Sequence, residues 1–354
     1  MYKSGGIEKA LTSRLKELSS FYEIYLITLE NGNRDFYFGR IENIIHLDLD
    51  LNFNRKSNGG FKLNFGNISK SLSSYLKLQK VLIKIRPDFT INVVGVHSFY
   101  FLSYIGFTGK TILEYHSSLY ENPPSNFKKY ITNKFDYHVF LNKEECNIAS
   151  FINKNKYIIP NPAQINNIEK KPYSNKSKRI IAAGRIVDVK GFDRLVKAWE
   201  IIYKEFPDWI VEVYGEPDLV VLNKIQKMIY YYRLENSFFI KGADTSILDI
   251  INDSKIYAMT SHFESFSIVV LEAISLGTLV IAFDCPTGPR NIIDKESGYL
   301  IENDDIELYA QALKEAILNE SNSEILANNG YKKSQVFSLD KIIEKWKNLF
   351  SNKI

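Results

Sequence analysis

The chain alternates short apolar runs with longer stretches whose apolar positions recur every three or four residues. The first kind reads as buried strand and the second as amphipathic helix. Ile7 to Leu15 has helical spacing, and Tyr22 to Leu29 reads as a strand. Residues 44–51 alternate at period two, and a helical pattern from about Ile68 to Ile85 stops before Pro87. Strands follow at 88–96, 111–115 and 137–141, with helices near 99–106 and 126–134; residues 53–66, rich in Asn, Gly and Lys, read as a loop. After Pro160-Asn161-Pro162 a polar stretch runs to Lys178 and a new strand starts, Arg179 to Gly184. From there strands near 209–214, 237–241, 255–260, 279–283 and 298–301 interleave with helices near 191–206, 217–232, 246–252, 267–276 and 305–318. Two amphipathic stretches, 323–334 and 339–350, close the chain. Repeated strand–helix alternation predicts α/β architecture with parallel sheets. The composition shift at 160 predicts two domains, 1–160 and 161–335, with 336–354 as a final helix.

Composition narrows the class. A chain of 354 residues can bury two cores. No apolar run reaches the ~18 residues of a membrane span, and the N-terminus lacks the apolar core of a signal peptide. Cys146 and Cys285 are too few for a disulfide framework and read as small core residues. These features predict a cytoplasmic protein. Net charge is +4 but uneven: residues 1–165 carry 21 Lys and Arg against 14 Asp and Glu. A basic first half suits peripheral contact with an anionic membrane or a phosphorylated acceptor; the alternative is a coding bias toward Lys, Asn, Ile and Tyr. No dense basic cluster or reader motif points to nucleic acid.

The candidate chemistry gathers at strand ends, where open α/β sheets bind ligands. Gly5 and Gly6 open the first helix as a phosphate cradle would, although no strand precedes them, so the first domain reads as lacking its first strand. In the second domain Arg185 follows a strand and Lys190 precedes a helix, a pair suited to a diphosphate. Glu264 and Glu272 stand eight apart around a helix start. In one helix that spacing is about 12 Å, too far for an acid/base pair on one bond, so they read as two anchors on an elongated ligand. Backbone amides at Phe266, Ser267 and Ile268 would take phosphate oxygens between them. The plainer alternative makes Glu264 a helix cap and Glu272 a surface residue. His116 ends a predicted strand and points to the binding face; His97 has a similar place, and His262 is positioned to orient the Glu264 loop. Asp48 and Asp50 form an Asp-x-Asp pair, better explained as outward carboxylates of a half-buried strand than as metal ligands.

The pattern Gly-Arg…Lys-Gly-Phe-Asp-x-Leu-x-x-Ala-Trp from Gly184 to Trp199, then Ser261-x-x-Glu264-x-Phe266, Leu271-Glu272-Ala273 and Phe283 to Pro289, resembles the family-4 retaining glycosyltransferases, above all those that build bacterial capsule, exopolysaccharide and lipopolysaccharide. The resemblance implies the GT-B fold: two Rossmann-like domains facing across a cleft, with the last helix crossing back to the first. It implies transfer of a hexose from a nucleotide-sugar, commonly UDP-linked, to a glycan or polyprenyl-linked acceptor hydroxyl, with retention and without a metal or other cofactor. Arg185 and Lys190 then match the diphosphate pair, Glu264 the sugar anchor, Glu272 the ribose anchor, His116 the histidine near the reacting sugar, and Gly5 and Gly6 the loop near phosphates and acceptor. Ser265 and Ser267 stand where many relatives have glycine. Two other readings stay open: a nucleotide-sugar epimerase on a similar fold, and a truncated, inactive nucleotide-binding protein.

Overall fold

The computed structural model describes residues 6–29, 35–50, 65–93, 104, 106–165 and 168–351. Gly5, His97, the predicted loop over most of 53–66 and nearly all of the predicted 99–106 helix lie outside them. The chain divides into two units. One comprises residues up to Leu141, Cys146–Ile159 and the stretch from Ile342 on; the other comprises Asn142–Glu145 and Pro160–Lys341.

In the first unit α1 (Gly6–Leu18) leads to β1 (Ile24–Thr28) and β2 (Ile44–Asp48), which pair in parallel. Then come α2 (Phe65–Ile85), β3 (Phe89–Asn92), β4 (Lys110–Tyr115), α3 (Asn126–Thr132), β5 (Tyr137–Phe140), α4 (Lys143–Ile148), whose residues up to Glu145 fall in the other unit, and β6 (Asn155–Ile158). Strands β3-β4-β5-β6 form a four-stranded, all-parallel sheet in chain order. Its centre is dry: Ile112, Leu113, Val139 and Phe140 are buried, as expected of strands covered on both faces. Strand β6 escapes the pattern reading because Asn155 and Lys156 are exposed at the sheet edge. Asp48 accepts a hydrogen bond from the Thr28 hydroxyl across the β1–β2 pair, and Asp50 donates its amide to Asp48 Oδ1 at 2.7 Å. That matches the strand account of the Asp-x-Asp pair. Cys146 departs from expectation: it is only partly buried, whereas Cys285 is fully buried.

The second unit begins with β7 (Ser177–Ala183) and α5 (Phe192–Ile202), followed by β8 (Ile210–Tyr214), α6 (Leu219–Tyr231), β9 (Phe238–Gly242) and α7 (Ile247–Asp253). Then follow β10 (Ser254–Met259), α8 (Ile268–Ser275), β11 (Leu279–Phe283), β12 (Tyr299–Ile301), α9 (Ile306–Leu318), α10 (Glu320–Ser334) and the start of α11 (Leu339–Phe350), which from Ile342 on belongs to the first unit. The six strands are all parallel, in the order β12-β11-β10-β7-β8-β9. From β7 the chain winds outward one way, then returns at β10 and winds the other way. The boundary between β7 and β10 is therefore the topological switch point, where the loops leaving both strands diverge and open a crevice. Helix α5 shows why the pattern was readable: Phe192, Leu195, Val196, Trp199 and Ile202 are buried at three- and four-residue spacing. Trp199 is fully enclosed, and its indole N–H donates to Ser237 Oγ at 3.0 Å. Burying such side chains contributes about 1.5–3 kcal/mol each.

From Ile342 on, α11 packs within the first unit. Phe350 meets Tyr22 and Phe89 at ring distances of 5.2 and 5.1 Å, and Trp346 is covered by the Arg14 guanidinium at 4.4 Å. Among the described residues no helix is long and apolar enough to cross a membrane.

Candidate functional site

Two loops build the site of the second unit. The first leaves β7 through Gly184 and Arg185, makes a short 3-10 turn over Asp188–Lys190 and enters α5 through Gly191. Gly191 sits in the left-handed region (φ 61°), and a Cβ there would lie 2.2 Å from the Thr260 carbonyl oxygen. Only glycine lets the two loops approach so closely. The second loop leaves β10 at Thr260. Thr260 Oγ1 donates to the Lys190 carbonyl at 3.2 Å, and the His262 amide donates to Val189 O at 2.8 Å. The two loops are thus laced together at the switch point.

That lacing brings Lys190 to Glu264. Lys190 Nζ lies 2.6 Å from Glu264 Oε1, which also accepts from Ser261 Oγ at 2.8 Å. Their side chains are 25% and 12% exposed, so the pair is partly desolvated but reachable. From behind, the Thr287 hydroxyl donates to the Glu264 carbonyl at 2.8 Å. Gly288 abuts Glu264 as well: a Cβ there would fall 2.4 Å from Glu264 Cβ. Glu264 lies in the loop, not on the helix, so the single-helix distance does not apply to the pair of glutamates. Arg185 is exposed, and its side chain has no acidic partner among the described residues.

Ser267 is the N-cap residue of α8, but its side chain makes no capping bond. The first amides of a helix have no acceptor within that helix. Phe266, Ser267 and Ile268 at this end are largely buried. Glu272, one turn further on, is 3% exposed, which removes the surface-residue alternative. Both glutamates act on Tyr257 in β10. Burial chiefly pushes its hydroxyl far above the usual phenol range, and the charges of Glu264 and Glu272 add to that. Burial and Glu264 likewise push the Cys285 thiol up to about 12, so it stays a neutral thiol.

His262 is held by Arg194, a residue the sequence pattern leaves unmarked. Arg194 donates from Nη1 to His262 Nδ1 at 3.1 Å and from Nη2 to Asn303 Oδ1 at 2.8 Å, with its guanidinium 3.7 Å over the Phe283 ring. Ser261, Thr287 and Gly288 were also missed as Glu264's supports; only their membership of the quoted motifs marked them.

In the first unit His116 follows the C-terminal end of β4. Its Nε2 lies 2.9 Å from Glu114 Oε1, and the two side chains are 6% and 1% exposed. Gly6 is the first residue of α1, at the same end of the chain as Gly5. Among the described residues no group of three or more His, Cys, Asp or Glu is arranged to hold a metal ion.

The chain resembles known proteins. Residues 164–333 match the family described as Glycosyl transferases group 1. The amylovoran biosynthesis glycosyltransferase AmsD of Erwinia amylovora is 29% identical over 208 residues, 57% of this chain and 58% of that protein. A crystal structure of a TarM variant of S. aureus in complex with Fondaparinux, alpha-GlcNAc-glycerol and UDP aligns at a TM-score of 0.66 and 26% identity, over 78% of this chain and 58% of that one. Anabaena Alr3699/HepE in complex with UDP and glucose aligns over 99% of this chain and 97% of that one, at a TM-score of 0.79 and 16% identity. The chain has the GT-B fold and resembles capsule- and exopolysaccharide-related glycosyltransferases. The GT-B likeness thus runs along the whole chain, while the chain spans little more than half the length of AmsD and of the TarM variant.

Proposed function

We propose that this chain is a retaining glycosyltransferase that moves a hexose from a UDP-sugar to a hydroxyl of a glycan or lipid-linked acceptor in surface polysaccharide synthesis. The observation that carries this reading is the Lys190–Glu264 contact of 2.6 Å at the switch point, with the buried Glu272 on the helix that follows. Arg185 and Lys190 are the cations for the diphosphate, and the start of α8 offers amides to its oxygens. Glu264 accepts from hydroxyls of the donor sugar, Glu272 from those of the ribose, since an ionised carboxylate only accepts. His116 serves the reacting sugar from the first unit, and the Gly5-Gly6 loop serves phosphates and acceptor.

The chemistry follows from charge. An acceptor oxygen bonds to the anomeric carbon on the face from which the diphosphate leaves. The bond from that carbon to the phosphate oxygen breaks with its electron pair, and the departing diphosphate takes the acceptor proton. Negative charge develops on the leaving oxygen, where Arg185 and Lys190 stabilise it most. Before the donor binds, Glu264 neutralises Lys190. An arriving diphosphate competes for the ammonium and releases the carboxylate to the sugar.

Membrane proximity is the finer part of the proposal. Phe127 and Tyr130 are exposed on α3 beside Lys128 and Lys129, within the basic half of the chain. Aromatic rings with lysines suit an anionic bilayer surface. Flotation with anionic vesicles at low salt checks this, and absence of binding removes it.

A thermal-shift comparison of UDP and GDP, followed by a hydrolysis screen of nucleotide-sugars, tests the central reading. Stabilisation by UDP and release of UDP from one UDP-hexose are expected. No stabilisation and no hydrolysis would sink the proposal. Formation of an epimer without acceptor would select the epimerase instead.

A further inference from the structure

Glu114 is among the most enclosed carboxylates in the molecule, and it serves two partners from different elements. Its Oε2 accepts from Arg14 Nη2 at 2.7 Å, and its Oε1 accepts from Arg14 Nη1 at 2.6 Å. The same Oε1 lies 2.9 Å from Nε2 of His116; the contact is short but lies off the ring N–H axis. Arg14 is itself enclosed, with a side chain 6% exposed, and its flat face lies 4.4 Å from the Trp346 ring. Four side chains from α1, β4, the residue beyond β4, and α11 form one connected row. All four belong to the first unit.

Burial alone would raise the Glu114 carboxyl, but Arg14 and His116 reverse this and hold it below the ordinary carboxylate range. Glu114 is thus an anion throughout the working pH range. An anionic oxygen 2.9 Å from Nε2 would repel a lone pair there and attracts a hydrogen. In the neutral imidazole this leaves the lone pair on Nδ1. The bidentate Arg14 fork fixes both carboxylate oxygens, and Trp346 covers the guanidinium, so the carboxylate cannot swing away.

We propose that Glu114, held by Arg14 and Trp346, is a positioning residue that fixes His116 as the Nε2–H tautomer. The role is indirect: Glu114 reaches the reaction only through the ring it orients. This inference rests on the reading of His116 as a residue that serves the reacting sugar.

The test combines nitrogen NMR with kinetics. Wild type and variants are compared by long-range proton–nitrogen spectra of the five histidines, with His116 assigned by its loss in His116→Asn. Donor hydrolysis is measured on the same samples. Glu114→Gln is the direct variant. Because it leaves Arg14 buried without its anion, the double variant Arg14→Met, Glu114→Met is made in parallel, removing both charges together. Wild type is expected to give one tautomer, with hydrogen on Nε2. The variants are expected to give a mixture, with kcat for donor hydrolysis lower by about tenfold to a hundredfold and KM within about twofold. An Nδ1–H tautomer in wild type, unchanged spectra in both variants, or changed spectra with unchanged kcat would each overturn the inference. A wild-type protein that is neither stabilised by UDP nor able to hydrolyse a nucleotide-sugar would end the glycosyltransferase reading instead, while the spectra still decide whether Glu114 fixes the ring.

Discussion

Lys190 Nζ and Glu264 Oε1 meet at 2.6 Å across 74 positions of sequence, one from the loop after β7 and one from the loop after β10. Each neutralises the other, and on the proposed function a ligand with both an anionic and a hydroxyl-rich part would separate them. Their single replacements should therefore move affinity in opposite directions. Lys190→Ala should weaken UDP binding about tenfold or more, the loss of one charge-assisted contact. Glu264→Gln should bind UDP at least as tightly as wild type, because Lys190 loses its competitor, while donor turnover drops by about 10²–10³. Calorimetry with UDP beside a hydrolysis assay reads both. Weaker UDP binding in Glu264→Gln would contradict the competition argument.

Glu272 is buried on α8 and is read as the ribose anchor. Glu272→Gln keeps the volume but replaces one acceptor oxygen by a donor group. UDP affinity should fall about tenfold, while affinity for inorganic diphosphate stays unchanged. Equal losses for both ligands would place Glu272 elsewhere in the chemistry.

Gly288 tests how closely Glu264 is fitted. An alanine methyl there would lie 2.4 Å from Glu264 Cβ, closer than van der Waals contact permits. Gly288→Ala should keep the fold with a loss of about 1–3 kcal/mol and lower donor turnover through displacement of Glu264. Urea unfolding and the hydrolysis assay measure the two effects. A fully active variant would show that Glu264 tolerates the shift.

His138 gives the first unit a pH dependence of its own. Its ring is fully buried in β5, with Nδ1 3.1 Å from the Tyr115 hydroxyl, and burial lowers its pKa to about 4 from 6.5. The unfolded chain therefore binds the proton more readily between those values. The contribution to stability is present above pH 6.5 and is lost as pH falls from there to about 4, on the order of 3 kcal/mol. His138→Gln keeps a partner for Tyr115 and cannot titrate. Urea midpoints taken across this interval should slope less in the variant than in wild type.

Much of this was readable beforehand because strands and helices announce themselves by local period. The buried runs of β10 and β11 and the three- and four-residue spacing in α5 are such signals, and motif spacing singles out Arg185, Lys190, Glu264 and Glu272 as candidates. Support is harder to read because it is not local. Nothing near Glu264 in sequence reveals that Gly288 must lack a side chain for it. Nothing near His116 reveals Arg14, which reaches Glu114 from 100 positions away. Edge strand β6 fails for another reason: exposed Asn155 and Lys156 erase the apolar signal that marks a central strand.

The row from Trp346 through Arg14 to Glu114 also bears on synthesis. The first unit is discontinuous, and its last piece, from Ile342 on, is translated only after all of the second. Until then α1 and β4 can already bring Arg14 to Glu114, but the guanidinium has no indole over it. A growing chain would thus carry an uncovered apolar seat for α11 throughout translation of the second unit. Nascent chains stalled just short of Trp346 should be the form on which chaperones act.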